Sequence, residues 1–158
     1  MEYGQGIEIE RKFLIKHLPE DIDNYPFHII EQGYLNTSPT VRIRREDDYY
    51  YMTYKSKGTD DGLSRTEYNL PLTQEAYEHL STKVDGNIIR KKRYLIPYAN
   101  HTIELDIFET PFAPLILAEV EFKSEVAAHD FAPPAWFDKD VTGNREYYNS
   151  TMSMKQFD

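Results

Sequence analysis

The segment Ile7-Glu8-Ile9-Glu10-Arg11-Lys12-Phe13 carries two carboxylates and an ammonium at every second position. On an extended backbone successive side chains point to opposite faces, so Glu8, Glu10 and Lys12 share one face while Ile7, Ile9 and Phe13 share the other. Carboxylates two residues apart lie about 7 Å from one another along a strand. They can converge on one hard cation, and the ammonium two residues further on can meet that cation's anionic ligand.

The same alternation returns along the chain. Arg42 and Arg44 oppose Val41 and Ile43, and Lys55 and Lys57 oppose Met52 and Tyr54. Arg65 and Glu67 oppose Tyr68 and Leu70; Glu104 and Asp106 oppose Ile103, Leu105 and Ile107. Glu119, Glu121 and Lys123 oppose Ala118, Val120 and Phe122. The run Ile88 to Ile96 is the least decided, because Lys91 and Arg93 alternate with Arg90 and Lys92. For any one strand, an apolar face on a core and a charged face in water would explain the pattern. Taken together the strands resist that reading. Solvated faces mix small polar residues with both signs of charge, whereas several of these carry like pairs, which repel unless something binds between them.

These side chains need strands to hold them. Turn-forming residues separate the runs at Asn36 to Pro39, Asp47-Asp48, Gly58 to Gly62, Ala99-Asn100 and Pro111 to Pro114. The stretch His17 to Pro26 has room for only a short helical turn between its prolines, and Gly33 marks a bend or close approach in the strand around it. Thr73 is a candidate N-cap for a helix of about three turns, with Ala76, Tyr77 and Leu80 on its apolar side. A shorter helix is expected near Glu125 to His129. About eight strands with short connections predict a mainly β, α+β fold: a closed eight-stranded antiparallel barrel with a few peripheral helices. Closure turns the ionic faces into a lumen.

Composition bounds the rest. At 158 residues the chain suits one domain, and 13 Tyr with 8 Phe favour strands. The absence of Cys excludes disulfides, thiol nucleophiles and Cys-bound metals, and fits the cytoplasm. No apolar run is long enough for a membrane helix, and the N-terminus lacks signal-peptide features, which also opposes an outer-membrane barrel. A net charge of −9 makes nucleic acid an unfavourable partner. Acids and bases together in one lumen suit a polyanion complexed with a divalent metal, such as a nucleoside or inorganic triphosphate with Mg2+ or Mn2+. No glycine-rich phosphate loop is present, so side chains must hold the phosphates.

Glu8-x-Glu10-x-Lys12, Arg42-x-Arg44, Lys55 in Tyr-Lys-Ser-Lys, Lys91 with Arg93, Asp106, and Glu119-x-Glu121 resemble, in order and over nearly the whole chain, the triphosphate tunnel metalloenzymes of the CYTH superfamily. The resemblance implies one tunnel domain over residues 1–158 that binds a triphosphate and a divalent metal. It also implies roles. Glu8, Glu10, Glu119 and Glu121 are the expected metal ligands, and Arg42, Arg44, Lys55, Lys91 and Arg93 the expected phosphate clamp, with Lys12 at the tunnel floor. Asp106 and Glu67 are expected as further ligands or water-orienting groups, Glu104 and Lys57 fit less closely, and Arg65 and Lys123 less closely still.

The expected reaction is in-line attack of water, activated by the cation, on the terminal phosphoanhydride, with Arg and Lys neutralising developing charge and no protein nucleophile. Family members hydrolyse tripolyphosphate, nucleoside triphosphates or thiamine triphosphate, or cyclise ATP. The His-Phe pair that precedes the Glu-x-Glu-x-Lys run in the bacterial cyclase branch is missing from Met1 to Gly6. That lowers the cyclase reading, and no dedicated base-reading element is present; inorganic tripolyphosphate is the favoured substrate with nucleoside triphosphates weaker, thiamine triphosphate is the nearest alternative, and ATP cyclisation comes next. Tyr34 or Tyr49 could stack on a base or thiazolium at a tunnel mouth. A silent polyphosphate- or nucleotide-binding sensor is the alternative of another class, and an RNA 5′-triphosphatase fits poorly with the acidic charge. The final residues, Met152 to Asp158, could plug one tunnel end or fray.

Overall fold

Alternating segments bury one face and need partners for their backbone, and a ring of strands meets both demands. The computed structural model describes residues 4–157. In chain order its elements are β1 (Gly4–Ile15), β2 (Phe27–Thr37), β3 (Thr40–Glu46), β4 (Tyr49–Lys55), β5 (Ser64–Pro71), α1 (Gln74–Ser81), β6 (Asp85–Tyr98), β7 (His101–Phe108), β8 (Ile116–Glu121), α2 (Glu125–Asp130), β9 (Phe137–Asp140) and α3 (Asn149–Ser153). Strands β5, β4, β3, β2, β6, β7, β8 and β1 follow one another antiparallel, and pairing of β1 with β5 closes the ring. This is the expected eight-stranded barrel.

A ninth strand was not expected. β1 pairs with β5 from Gly4 to Ile9 and then parts from it; β9 takes over the same edge at Phe13 and Ile15. Between them the edge is satisfied by loops: Glu10 N–H donates to Leu63 O at 3.1 Å, and Lys12 N–H to Thr142 Oγ1 at 3.0 Å.

Several boundaries move from the sequence expectation. The first helix is 8 residues long, just over two turns rather than three, because β6 begins at Asp85 instead of Ile88 and draws the chain back into the sheet. Its cap is as expected, with Thr73 Oγ1 accepting from Ala76 N–H at 3.1 Å. β4 ends at Lys55, which leaves Lys57 exposed beyond the strand, and β8 ends at Glu121, which does the same to Lys123. Gly33 lies at a register shift in β2, where an added Cβ would meet Val84 Cγ1 at 2.7 Å; the sheet can bend there only without a side chain.

Two apolar clusters hold the barrel in shape. Outside, Tyr94, Ile96, Ile103, Leu105, Ala118 and Val120 pack beneath Ala128 of α2 and beneath Phe131 and Phe137, with Phe13 only 1% exposed among them. Each large side chain buried in this way contributes about 1.5–3 kcal/mol. On another stretch of wall α1 packs through Tyr77, whose ring lies 5.2 Å from that of Tyr50. Inside, Tyr34, Ile89, Phe108, Phe112, Leu117 and Met152 form a second cluster in which α3 packs across one end of the barrel. The C-terminal segment thus forms a plug through residue 153, while Asp158 lies outside the described residues. No helix among the described residues is long and apolar enough to cross a membrane.

Candidate active site

The barrel encloses a cavity of about 460 Å3, within the usual range for ligand sites. Lys12, Arg42, Arg44, Lys55, Arg65, Lys91 and Arg93 line it together with Glu8, Glu10, Glu46, Glu67, Glu104, Glu119 and Glu121. The ambiguous strand is settled: Lys91 and Arg93 point inward and are buried, while Arg90 reaches Glu31 outside at 2.9 Å and Lys92 covers the Phe27 ring.

Three carboxylates converge. Oxygens of Glu8, Glu10 and Glu121 lie within 4.8 Å of one another. The sheet forces this, because Glu10 and Glu121 are direct cross-strand partners and Glu8 is two residues along the same face. Like charges in that register destabilise a sheet unless a cation joins them. Glu8 is paired with Lys55 at 3.0 Å, but the carboxylates of Glu10 and Glu121 have no hydrogen bond or ion pair among the described residues. Burial, with Glu119 and Glu8 nearby, pushes Glu10 well above the ordinary carboxylate range. Glu121 is exposed at the rim, yet partial loss of water around its carboxyl, with Glu104, Glu8 and Glu67, pushes it up to about 8. Oxygen donors of this kind, short of positive charge, fit a hard divalent cation.

Glu119, expected as a fourth ligand, stands apart from the trio. It is the cross-strand partner of Lys12, and its carboxylate lies 3.6 Å from both Lys12 Nζ and Arg93 Nη2. Burial alone would raise it, but Lys12, Arg93, Lys91 and Lys55 hold it well below its ordinary value. Asp106 is also displaced from its expected place. It is fully buried, does not line the cavity, and has both oxygens occupied, by Arg93 at 2.7 and 2.9 Å and by Lys91 at 2.7 Å. It stands behind the clamp and orients two of its cations.

Arg42 and Arg44 are held differently. Arg44 donates to Gln32 Oε1 from Nε and Nη2 at 2.9 and 2.7 Å, and to the Tyr51 hydroxyl at 3.0 Å; its carboxylate neighbour Glu46 is 3.9 Å away. Arg42 donates to Thr53 Oγ1 at 2.9 Å, and its buried Nε has no hydrogen-bond partner. These partners fix each guanidinium with little cancellation of its charge. A buried cation left in that condition has the chemistry to accept an anion. Thr53 donates in turn to Asn69, and Asn69 to Glu67, both at 2.6 Å. Burial would raise Glu67, but Lys55, the hydrogen bond from Asn69, and Arg42 together bring it down to about 2.

Of the residues ranked lower from the sequence, Glu104 lines the cavity and meets Arg93 at 3.1 Å, and Arg65 lines it 3.8 Å from Glu8. Lys57 touches only a much smaller adjoining cavity, and Lys123 lies in neither. Tyr34 lines the cavity from the apolar cluster at its plugged end, buried rather than at a mouth, and Tyr49 is exposed outside the cavity. Glu46 was missed although it continues the parity of Arg42 and Arg44. Tyr148, Asn149 and Ser150 were missed for a different reason: they line the cavity from the cap and first residues of α3, where strand alternation does not apply.

A family model described as "CYTH domain" matches residues 6–155. An inorganic triphosphatase of Nitrosomonas europaea is 39% identical over 153 residues, covering 93% of this chain and 97% of that protein. One of Acetivibrio thermocellus is 34% identical over 155 residues, covering 93% of each. Among solved structures, one described as the inorganic triphosphatase NE1496 aligns with a TM-score of 0.69 at 34% identity, over 94% of this chain and 95% of that one.

Proposed function

The chain belongs to the CYTH domain family, and we propose that it hydrolyses the terminal phosphoanhydride of triphosphates with a divalent metal, taking inorganic tripolyphosphate in preference to nucleoside triphosphates. One observation carries the proposal: a trio of converging carboxylates, of which Glu10 and Glu121 lack an ion-pair partner among the described residues, shares a cavity with guanidinium groups short of negative charge. A triphosphate with its divalent cation supplies both.

Glu8, Glu10 and Glu121 hold the cation, which we take to be Mg2+ or Mn2+ and which supplies charge neutralisation and Lewis acidity to the phosphate oxygens when bound. Arg42 and Arg44 bind phosphate oxygens through their free donors. Lys55, Lys91 and Arg93 complete the clamp and meet the charge that develops as the bridging bond breaks. Lys12, held by Glu119, closes the inner side. Glu67, at about 2, stays ionised and is too weak a base to remove a proton near neutrality; it orients water instead. The apolar plug keeps bulk water out of one end of the cavity.

Preference for an inorganic chain rests on the lining. The aromatic side chains that face the cavity are engaged: Tyr34 with Gln32, Tyr51 with Arg44, and Tyr148 with Lys12 and Arg65. None is set apart to stack on a base or a thiazolium. We read residues 1–158 as one tunnel domain acting in the cytoplasm.

The test is phosphate release from tripolyphosphate, ATP and thiamine triphosphate with Mg2+, Mn2+ or chelator, for the native chain, Glu10→Ala and Arg44→Ala. Metal-dependent release that is fastest with tripolyphosphate and lost in both variants is expected. Tight metal-dependent binding without release would make the protein a sensor; formation of cyclic AMP would make it a cyclase.

A further inference from the structure

Three consecutive residues before and at the start of α3 meet cations that line the cavity. The Tyr147 carbonyl accepts from Lys12 Nζ at 3.0 Å. The Tyr148 ring lies 5.6 Å from both Lys12 Nζ and the Arg65 guanidinium. Asn149 Oδ1 accepts from Lys91 Nζ at 3.0 Å and from Gln32 Nε2 at 3.4 Å, and Gln32 holds Arg44. Downstream the segment is tied by Met152 in the apolar plug and by Asn87 Nδ2, which donates to Ser153 O at 3.0 Å. Gly86 permits that approach, since an added Cβ would lie 2.2 Å from Ser153 O.

An ammonium has three donors and no acceptor. Lys91 gives one donor to Asp106, at 2.7 Å, and one to Asn149, which leaves the third for the cavity. The two partners do different things. Asp106 fixes Nζ while offsetting its charge; the amide oxygen of Asn149 fixes it and leaves the charge in place for an anion.

We propose that Asn149 is a positioning residue for substrate, aiming Lys91 and, through Gln32, Arg44 at the phosphates, so that the C-terminal plug is part of the binding site as well as a seal. The proposal rests on the triphosphatase reading above. It explains why a neutral acceptor stands where a second carboxylate would satisfy Lys91 more strongly, because a carboxylate there would meet the incoming polyanion with like charge.

The experiment uses the full chain carrying Asn149→Ala or Asn149→Asp, with kcat and KM measured for tripolyphosphate at saturating Mg2+, alongside the Mg2+ activation constant and the thermal midpoint. Removing one hydrogen bond to a charged group raises KM about tenfold in Asn149→Ala, with kcat within about threefold and metal activation unchanged. Asn149→Asp keeps the shape and strengthens the hold on Lys91, so its midpoint is at or above the native one; yet its KM rises further than that of Asn149→Ala. Native KM in Asn149→Asp would overturn the proposal, as would losses in both variants that track their thermal midpoints. If Asn149→Ala does not fold, the isosteric Asn149→Asp decides alone. Native protein that fails to release phosphate from tripolyphosphate overturns the functional reading itself, and this proposal with it, an outcome distinct from unchanged variants of an active enzyme.

Discussion

Glu121→Gln should make the metal-free protein more stable and the metal-loaded protein less so. Glu121 is pushed from an ordinary 4.5 to about 8 by burial and by Glu104, Glu8 and Glu67. Folding therefore favours its protonated form, and the folded state loses stability as pH rises from 4.5 through 8 and the group ionises. Unscreened, that displacement corresponds to about 5 kcal/mol. Glu121 is itself exposed at the rim of the site, where solvent screens most of the repulsion and leaves about 1–2 kcal/mol. For a chain of this length the gain is about 3–6 °C in thermal midpoint at pH 8 in chelator, fading toward pH 4.5, where the native side chain is protonated as well. Added Mg2+ reverses the order. At a hundred times its dissociation constant the ion stabilises the native chain by about 2.7 kcal/mol, and Glu121→Gln, lacking one of three donors, gains much less. Scanning calorimetry of both proteins at pH 5 and pH 8, with chelator and with Mg2+, reads all four combinations. Equal midpoints at pH 8 in chelator, or an equal response to Mg2+, would refute the frustrated trio.

Asp106→Asn leaves buried Lys91 without its ion-pair partner and Arg93 with Glu104 and Glu119 alone, which costs about 3–5 kcal/mol and lowers the midpoint by about 10 °C; the Mg2+ activation constant stays within twofold. Lost metal activation at unchanged stability would return Asp106 to the role of a ligand. Lys91 is lowered to about 7 by burial, with Asp106 opposing and Arg93 and Arg44 reinforcing the fall. Its charge is thus disfavoured in the free protein, and its contribution to stability improves as pH rises from 7 toward 10.5. A triphosphate beside it restores the charge, so binding above pH 7 takes up as much as about one proton. Titration calorimetry at pH 8.5 in buffers of different ionisation enthalpy measures that uptake, and Lys91→Arg, which stays charged, should abolish it. Buffer-independent heats for the native chain would count against the assignment.

The closed barrel was legible because its signal is local and repeated. Each inward strand position follows from its neighbour by two residues, so Glu8 fixes Glu10, Arg42 fixes Arg44, and one strand's parity supports the next. The same rule would have found Glu46. It could not decide β6, where basic residues occupy both faces; there register decides, since pairing with β7 sets Arg93 opposite Asp106 and Lys91 opposite Phe108. Nor could it separate Glu119 from Glu121. Both face inward at the same spacing, and only their cross-strand partners, Lys12 for one and Glu10 for the other, make the first an ion-paired acid and the second a donor in want of a cation.

The elements that escaped the sequence lie after α2, although a plug near Met152 was among the expectations. β9 is only 4 residues long, and α3 only 5, too short for either period to emerge. Neither would be stable alone, and each exists because the barrel leaves something unfinished: an edge of β1 that β5 abandons, and an end whose inward positions turn apolar at Tyr34, Ile89, Phe108 and Leu117. That apolar end is readable once the parity is known, since inward faces that change from ionic to oily require an oily cover. The segment after α2 provides it. In docking there it delivers Tyr147, Tyr148 and Asn149 to the cations of the clamp, so the requirement to seal the fold and the placing of the site's neutral acceptors are met by the same residues.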